Sequence, residues 1–428
     1  MTDATRSPMG ARDVLRIRDF RSLFAGQVVS DIGDGITLLL VLLVINDLTG
    51  STTALAMMAI AEAVPAFTVG LVAGVYVDRW DRRRIMLAAD LLRAGIVLAF
   101  GLVQSPELVP LLYVLGFTQA SIATFFRPAR GAMLPHIVPA EGLPAANSLA
   151  QASQVIGGVI GAGIAGVIFG TLGSGVAGFA IDSATFLVSF ALILRISREA
   201  GRIRKGDGAT AAPQGVRAGV LEGLRIVRRS RVLSGIVIAL AVTMLGLGAV
   251  NVLFVPLIVD DLRVSPTWMA GIDGAQVAGM LVAAGLVTTL VRYLAPTTII
   301  SIGLAGIGVC IGLVAGVSAV WQVIAILLVV GLLVTPLQAM AQTLVQTSVA
   351  DATRGRVVSV LQASMSTASV ASMAIGGVLG DVIGIRGVFV AASGFVLAAS
   401  VLSWILFRGV PARPIPAAAG PSEAGEPA

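Results

Sequence analysis

The sequence predicts an all-α membrane protein in which twelve transmembrane helices form two six-helix repeats. Three observations carry this: the 428-residue chain is 57% hydrophobic and only 12% charged, its apolar runs divide as six plus six, and its halves match at a fixed offset. A soluble domain is about 25% charged, so a soluble globular enzyme is excluded. Roughly 20 apolar residues cross a bilayer as one helix, which gives this chain room for about a dozen passes.

Residues 1–21 read as a cytoplasmic N-terminal segment with five arginines and three aspartates. The apolar run after Arg21 has the length of a full span, so it reads as an anchor and not as a cleaved signal. The first bundle, 22–195, holds spans near 22–46, 53–77, 85–104, 108–126, 146–170 and 175–195. A linker, 196–231, follows. With Arg195 it carries ten basic residues, a flexible stretch from Gly206 to Gly215, and a basic amphipathic helix from Val220 to Arg231 suited to the membrane surface. The second bundle, 232–407, holds spans near 232–258, 267–290, 296–316, 320–345, 357–381 and 386–407. The tail, 408–428, is rich in Pro, Ala and Gly and is expected to be disordered in the cytoplasm.

Of the 29 Lys and Arg residues, 26 fall in alternate loops, Arg263 and Arg386 fall in the other set, and Arg93 lies within a span. Positive charge is retained on the cytoplasmic side, which places both termini in the cytoplasm of a multi-pass inner-membrane protein. The net charge of +6 therefore concerns orientation and gives no support for nucleic-acid binding. The repeat divides the chain in the same way. Ser148 to Ser153 aligns with Ser359 to Ser364 at an offset of 211, which also pairs Gly74 with Gly285, Gly166 with Gly377, and Glu62 with Asp273. Parallel repeats of six spans are a transporter architecture with the substrate site near the midplane.

Other chemistries are poorly supplied. One cysteine, Cys310, and one histidine, His136, permit neither an intramolecular disulfide nor a clustered metal site. Lys205 has no phosphate-binding glycine loop around it. No cofactor and no metal are expected, and no nucleophile is paired with a base as an enzyme would require. A membrane sensor would need a signalling domain that no loop is long enough to hold.

Ionisable groups inside spans are costly, by about 2.5–3.5 kcal/mol each on an insertion scale, so they are the functional candidates. They are Asp31, Asp34, Glu62, Asp90, Arg93, Asp182 and Asp273. Asp34 lies about 18 Å along the first span, near the midplane, and Glu62 reaches a similar depth from the other side. Asp31 sits one turn below Asp34 on the same face. These three read as proton-coupling or substrate groups with no obvious fixed countercharge. A carboxyl withdrawn from water can load and release a proton as water access alternates; structural hydrogen bonding is the competing role. Asp90 and Arg93, at i and i+3, are expected to neutralise each other as a structural pair. Polar side chains in lipid must face protein or a wet cavity, which makes Gln338 and Gln342 of the tenth span, Gln151 of the fifth, its repeat mate Gln362, and Phe117 and Gln119 of the fourth cavity candidates. Helix-to-helix glue is the alternative for each glutamine. Glycines every four residues, at Gly157 and Gly161, at Gly308, Gly312 and Gly316, and at Gly376, Gly380 and Gly384, mark close helix approach.

The loop after the second span reads Gly74-Val75-Tyr76-Val77-Asp78-Arg79-Trp80-Asp81-Arg82-Arg83-Arg84. In this loop the sequence resembles the major facilitator superfamily, whose hallmark there is G-x-x-x-D-R-x-G-R-R, and it looks most like the macrolide-efflux and enterobactin-exporter branch. Ser30 to Asp34, Asp90 to Arg93, Phe126 to Arg130 and Leu134 to Pro139 add to the resemblance, which covers essentially all twelve spans. It implies the major facilitator fold, a cavity lined by the first, fourth, seventh and tenth spans, and a conformational latch of Gly74, Asp78, Arg79, Arg82 and Arg83. It further implies export of a hydrophobic or amphipathic molecule, such as a macrolide-like drug or a siderophore, in exchange for protons, by a monomer. Import of a small metabolite or a non-transporting sensor are the alternatives. Asp81 stands where the hallmark has glycine, and the second-half copy lacks the acid. The fifth span resembles the family's antiporter motif from Gly157 to Gly166, with alanines at two of its positions.

Overall fold

The computed structural model describes residues 9–77, 79–201, 216–349 and 351–408. They form helices joined by short turns, and among them there is no strand. The first half contains α1 (Ala11–Arg16), α2 (Arg18–Thr49), α3 (Thr52–Thr68), α4 (Gly70–Val77), α5 (Arg82–Phe100), α6 (Val109–Ile137), α7 (Leu143–Leu172) and α8 (Val176–Ile193). The second contains α9 (Val216–Arg229), α10 (Arg231–Pro256), α11 (Met269–Tyr293), α12 (Pro296–Val314), α13 (Val320–Ser348), α14 (Asp351–Ile383) and α15 (Ile385–Phe407).

Ten of the described helices are long and apolar enough to cross a membrane. Two further spans fall short for identifiable reasons. The second is split into α3 and α4 at Val69, one turn after Pro65, whose ring supplies no backbone N–H and disrupts the turn before it. The third, α5, carries Arg82, Arg83, Arg84, Asp90 and Arg93. Helix ends follow ordinary chemistry. Ser51, Asp81 and Ser230 accept from the first-turn amides of α3, α5 and α10, and Gly50 and Gly173 end α2 and α7 at φ of 56° and 62°.

Several boundaries differ from the sequence expectation. The fourth span was expected to stop at residue 126, but α6 continues unbroken to Ile137 with Pro128 and Pro135 inside it. Arg127, Arg130 and His136 are therefore helical and not loop residues. The amphipathic helix α9 does not simply rest on a membrane surface: Val227 is buried in the second-half core, and a Cβ on Gly223 would lie 2.6 Å from the Arg356 carbonyl of α14. Gly384 is not a packing glycine, since it forms the turn before α15 at φ of 78°.

Within the first half, α2 and α7 approach closely enough that their backbones touch. A Cβ on Gly35 would lie 2.7 Å from the Gly158 carbonyl oxygen, and one on Gly161 would lie 2.7 Å from the Ile36 nitrogen and 2.8 Å from the Gly35 carbonyl carbon. Backbone cannot step aside cheaply in a close-packed bundle, so overpacking costs about 1–3 kcal/mol. Gly161→Leu is expected to lower the melting temperature of the solubilised protein by several degrees. Gly158→Leu on the same helix, where a Cβ meets nothing within 4 Å, is expected to leave it unchanged. Thermal unfolding followed by size-exclusion chromatography checks both.

The halves meet through two equivalent contacts. On one side, a Cβ on Gly377 of α14 would lie 2.9 Å from the Thr52 carbonyl of α3; on the other, one on Gly166 of α7 would lie 3.0 Å from the Pro266 carbonyl carbon, just before α11. These two glycines are the repeat mates at offset 211. Both contacts lie at the end away from the arginine-rich loops. At the opposite end α4 packs on α3 and α6 of its own half. The halves are thus closed on each other at the first end.

Candidate functional site

Two cavities adjoin one another, one within the first half and one between the halves. The first, about 420 Å³, is bordered by α2, α3, α5, α6 and α7 and gathers Asp31, Asp34, Glu62, Arg93, Gln119 and Arg127. The second, about 520 Å³, lies between the halves and is walled by leucine, valine, isoleucine and phenylalanine, with Asn251, Asp273 and Gln276 among its few polar groups. Gly35, Leu38 and Gly158 border both. Each volume falls in the range of small-molecule sites, roughly 300–1,000 Å³.

Asp34 occupies the centre of the first cavity, and it does have a countercharge. Arg93 of α5 donates from Nη2 to its Oδ1 at 2.5 Å. The Asp34 side chain is 40% exposed while that of Arg93 is 9% exposed, so the acid is much the more accessible of the two. The Arg93 guanidinium also stacks over the Phe186 ring, 4.2 Å from its centroid, which holds it in place. The expected pairing of Asp90 with Arg93 is therefore not formed. Asp90 is fully buried, and neither of its oxygens accepts a hydrogen bond of normal geometry. The i, i+3 spacing brings the two residues to one face but does not decide between an in-helix partner and one across the cavity.

Asp31 is buried and fully engaged. Gln27 Nε2 donates to one oxygen at 2.7 Å and Ser153 Oγ to the other at 2.6 Å. Asp182 is held similarly, by Thr37 Oγ1 at 2.5 Å and Thr185 Oγ1 at 3.0 Å. These two carboxylates tie α2 to α7 and α8. Glu62 differs, because it borders the cavity and forms no hydrogen bond or ion pair among the described residues. Asp273 borders the apolar cavity, so the repeat-related acids Glu62 and Asp273 serve different chambers.

The structure brings Gln119 to the first cavity, where its Oε1 is buried without a partner. It does not bring Phe117, Gln151, Gln338, Gln342 or Gln362 there. All five are exposed and border neither cavity. Sequence reasoning missed Arg127 and Arg130, which with Gln27 and Gln154 border a side chamber against Asp31 and Asp34. Their i, i+3 spacing is a usable signal once the helix is seen to run past residue 126.

Of the proposed latch, Asp78 lies outside the described residues, and Gly74 lies within α4. Arg82 donates to the Ala132 carbonyl at 3.2 Å and meets His136 Nε2 at 2.5 Å. Arg83 donates to the Ile193 and Leu194 carbonyls at 3.2 and 2.8 Å. Arg82 thus lies against the last two turns of α6 and Arg83 at the C-terminal end of α8, where the helix dipole favours a cation. Both contacts stay within the first half. Arg79 is exposed and its side chain has no partner among the described residues.

The profile of the transmembrane secretion effector family matches residues 10–415, nearly the whole chain. The chain belongs to this branch of the major facilitator superfamily. Its fold class and its standing as a membrane transporter and not an enzyme follow from that membership. The chain is 30% identical over 384 residues to the multidrug efflux pump Tap of Mycobacterium tuberculosis, covering 87% of this chain and 89% of that protein. It is 24% identical over 389 residues to macrolide efflux protein A of Streptococcus pyogenes, covering 90% and 94%. In fold it is similar to a bacterial homologue of the iron transporter ferroportin in an inward-facing state, with a TM-score of 0.74 at 17% identity, covering 92% of this chain and 98% of that one. It is also similar to the nucleoside transporter NupG, with a TM-score of 0.72 at 13% identity, covering 91% and 99%. The major facilitator transporter described here therefore shares its architecture with proteins that move chemically unrelated cargo.

Proposed function

We propose that this major facilitator protein exports an apolar or amphipathic small molecule from the cytoplasm across the inner membrane, driven by protons returning the other way. The observation that carries the reading is the joining of two unlike chambers at Gly35, Leu38 and Gly158: a polar one holding the Asp34–Arg93 pair and Glu62, and an apolar one between the halves. The apolar chamber suits the cargo, because burying apolar surface gives about 25 cal/mol per Å². The polar chamber suits the coupling ion. A proton arriving at Asp34 removes its charge, releases Arg93, and loosens the α2–α5 contact that the pair maintains. Glu62, open to the same chamber, is the second proton site.

The arginine-rich loops favour a cytoplasmic position for their end of the molecule and for both termini, and contact between the halves at the other end suits loading from inside, as export requires. The two relatives described as efflux pumps support the same direction. The protein acts as a monomer, since each chain carries both halves of the transport path. A growth-inhibition panel of apolar antibiotics in cells with and without the protein tests this reading. Protection is expected, followed by accumulation of the protective compound in inverted vesicles only when an inward-acid pH gradient is imposed. Sensitisation would instead mark an importer.

A further inference from the structure

The largest of the cavities described here is not on the transport path. A groove of about 670 Å³ opens on the outer surface between α5 and α6, with Arg79 and Arg84 at its rim and Leu92, Ile122 and Phe125 along its depth. The arginines of this loop divide by role. Arg82 and Arg83 point inward and are taken up by Ala132, His136, Ile193 and Leu194. Arg79 and Arg84 are exposed, and their side chains make no hydrogen bond or ion pair among the described residues. Among the described residues the one acid lining the groove is Asp81, whose Oδ1 accepts from the Arg84 amide at 2.9 Å.

The groove has a phospholipid's polarity and length. Leu92 lies eight residues beyond Arg84, about 12 Å deeper at 1.5 Å per residue, and is 56% exposed. Trp80, 57% exposed, packs at a tilt of 60° against Tyr76 with ring centroids 5.0 Å apart, a pairing suited to headgroup depth. A free phosphate would leave the apolar depth unfilled, and a neutral lipid would leave two guanidiniums unmatched. We propose that this groove binds one anionic phospholipid, its phosphate between Arg79 and Arg84 and an acyl chain along Leu92, Ile122 and Phe125. Such a lipid would brace the loop whose inward arginines clamp α6 and α8.

Trp80 reports the site directly. In a Trp268→Phe, Trp321→Phe, Trp404→Phe background it is the sole tryptophan. The full chain is reconstituted in vesicles containing phosphatidylglycerol or phosphatidylcholine with brominated acyl chains. Quenching is expected to show a preference of about tenfold for brominated phosphatidylglycerol, since each surface cation favours an anionic headgroup several-fold. The preference should fall to near unity in Arg79→Gln/Arg84→Gln and persist in Arg79→Lys/Arg84→Lys. Both residues are exposed, so unchanged melting and elution will separate loss of binding from loss of fold. Equal quenching by the two lipids, or a preference surviving the double glutamine variant, would overturn the proposal. So would displacement by millimolar inorganic phosphate, which marks a soluble-anion site, or loss of quenching at high protein-to-lipid ratio, which assigns the groove to a second copy.

Discussion

Asp34→Asn is expected to abolish transport driven by a pH gradient while the protein still inserts and folds. The amide cannot take up and release a proton, and it cannot balance Arg93, which is nearly buried and stacked on Phe186. Removing one partner of a buried pair costs about 3–5 kcal/mol. Water reaches Asp34 here, so a loss of about 1–2 kcal/mol in stability is the fitting scale. The two consequences can be separated. Adding Arg93→Gln removes the orphaned guanidinium, so Asp34→Asn/Arg93→Gln should recover thermal stability without recovering gradient-driven uptake in inverted vesicles. Recovery of coupled transport in the double variant would show that Asp34 serves only to neutralise Arg93.

Asp381→Asn is expected to open the closed end. Asp381, near the end of α14, accepts from the Thr52 and Thr53 amides at 2.9 and 3.2 Å and from the hydroxyls of Ser51, Thr52 and Thr53 at 3.0, 2.8 and 2.7 Å. One carboxylate thus caps the first turn of α3 across the boundary between the halves. Charge-assisted hydrogen bonds are roughly twice as strong as neutral ones, and an anion at a helix N-terminus contributes up to about 2 kcal/mol. An amide keeps one accepting oxygen and turns a donor toward donors. A shift of about tenfold toward the outward-open state is expected, equivalent to ~1.4 kcal/mol. Leu42 borders the apolar cavity; in a Leu42→Cys/Cys310→Ser background, labelling by an impermeant maleimide from that side should speed up by a similar factor. An unchanged labelling rate would mean that the glycine contacts at Gly166 and Gly377 hold the closed end without this clasp.

Part of the site was legible because intramembrane charge is scarce. Asp34, Glu62 and Asp31 stand out for the cost of burying them, and they do line one polar region. Their partners were less visible. Arg93 lies three residues from Asp90 on one helix and yet pairs with Asp34, 59 residues away. Arg127 and Arg130 read as loop charges because the apolar run ends near residue 126, although α6 continues to Ile137 with Pro128 inside it. Of the glutamines, Gln119 borders the polar cavity, while Gln151, Gln338, Gln342 and Gln362 are exposed and border neither cavity, because polarity and spacing do not say which side of a helix faces a chamber.

What the sequence determined by itself is the twelve-span plan, the two-fold repeat and the charge asymmetry of the loops. Each is set by the free energy of moving single residues into lipid, a quantity that depends on residue type and spacing and not on neighbours. What only the tertiary structure decided is which charges meet and which end is shut. Ion-pair partners and gate contacts are choices among groups that lie within reach of one another. That reach is set by close glycine approaches such as Gly35 to Gly158 and Gly377 to Thr52, contacts between residues far apart along the chain.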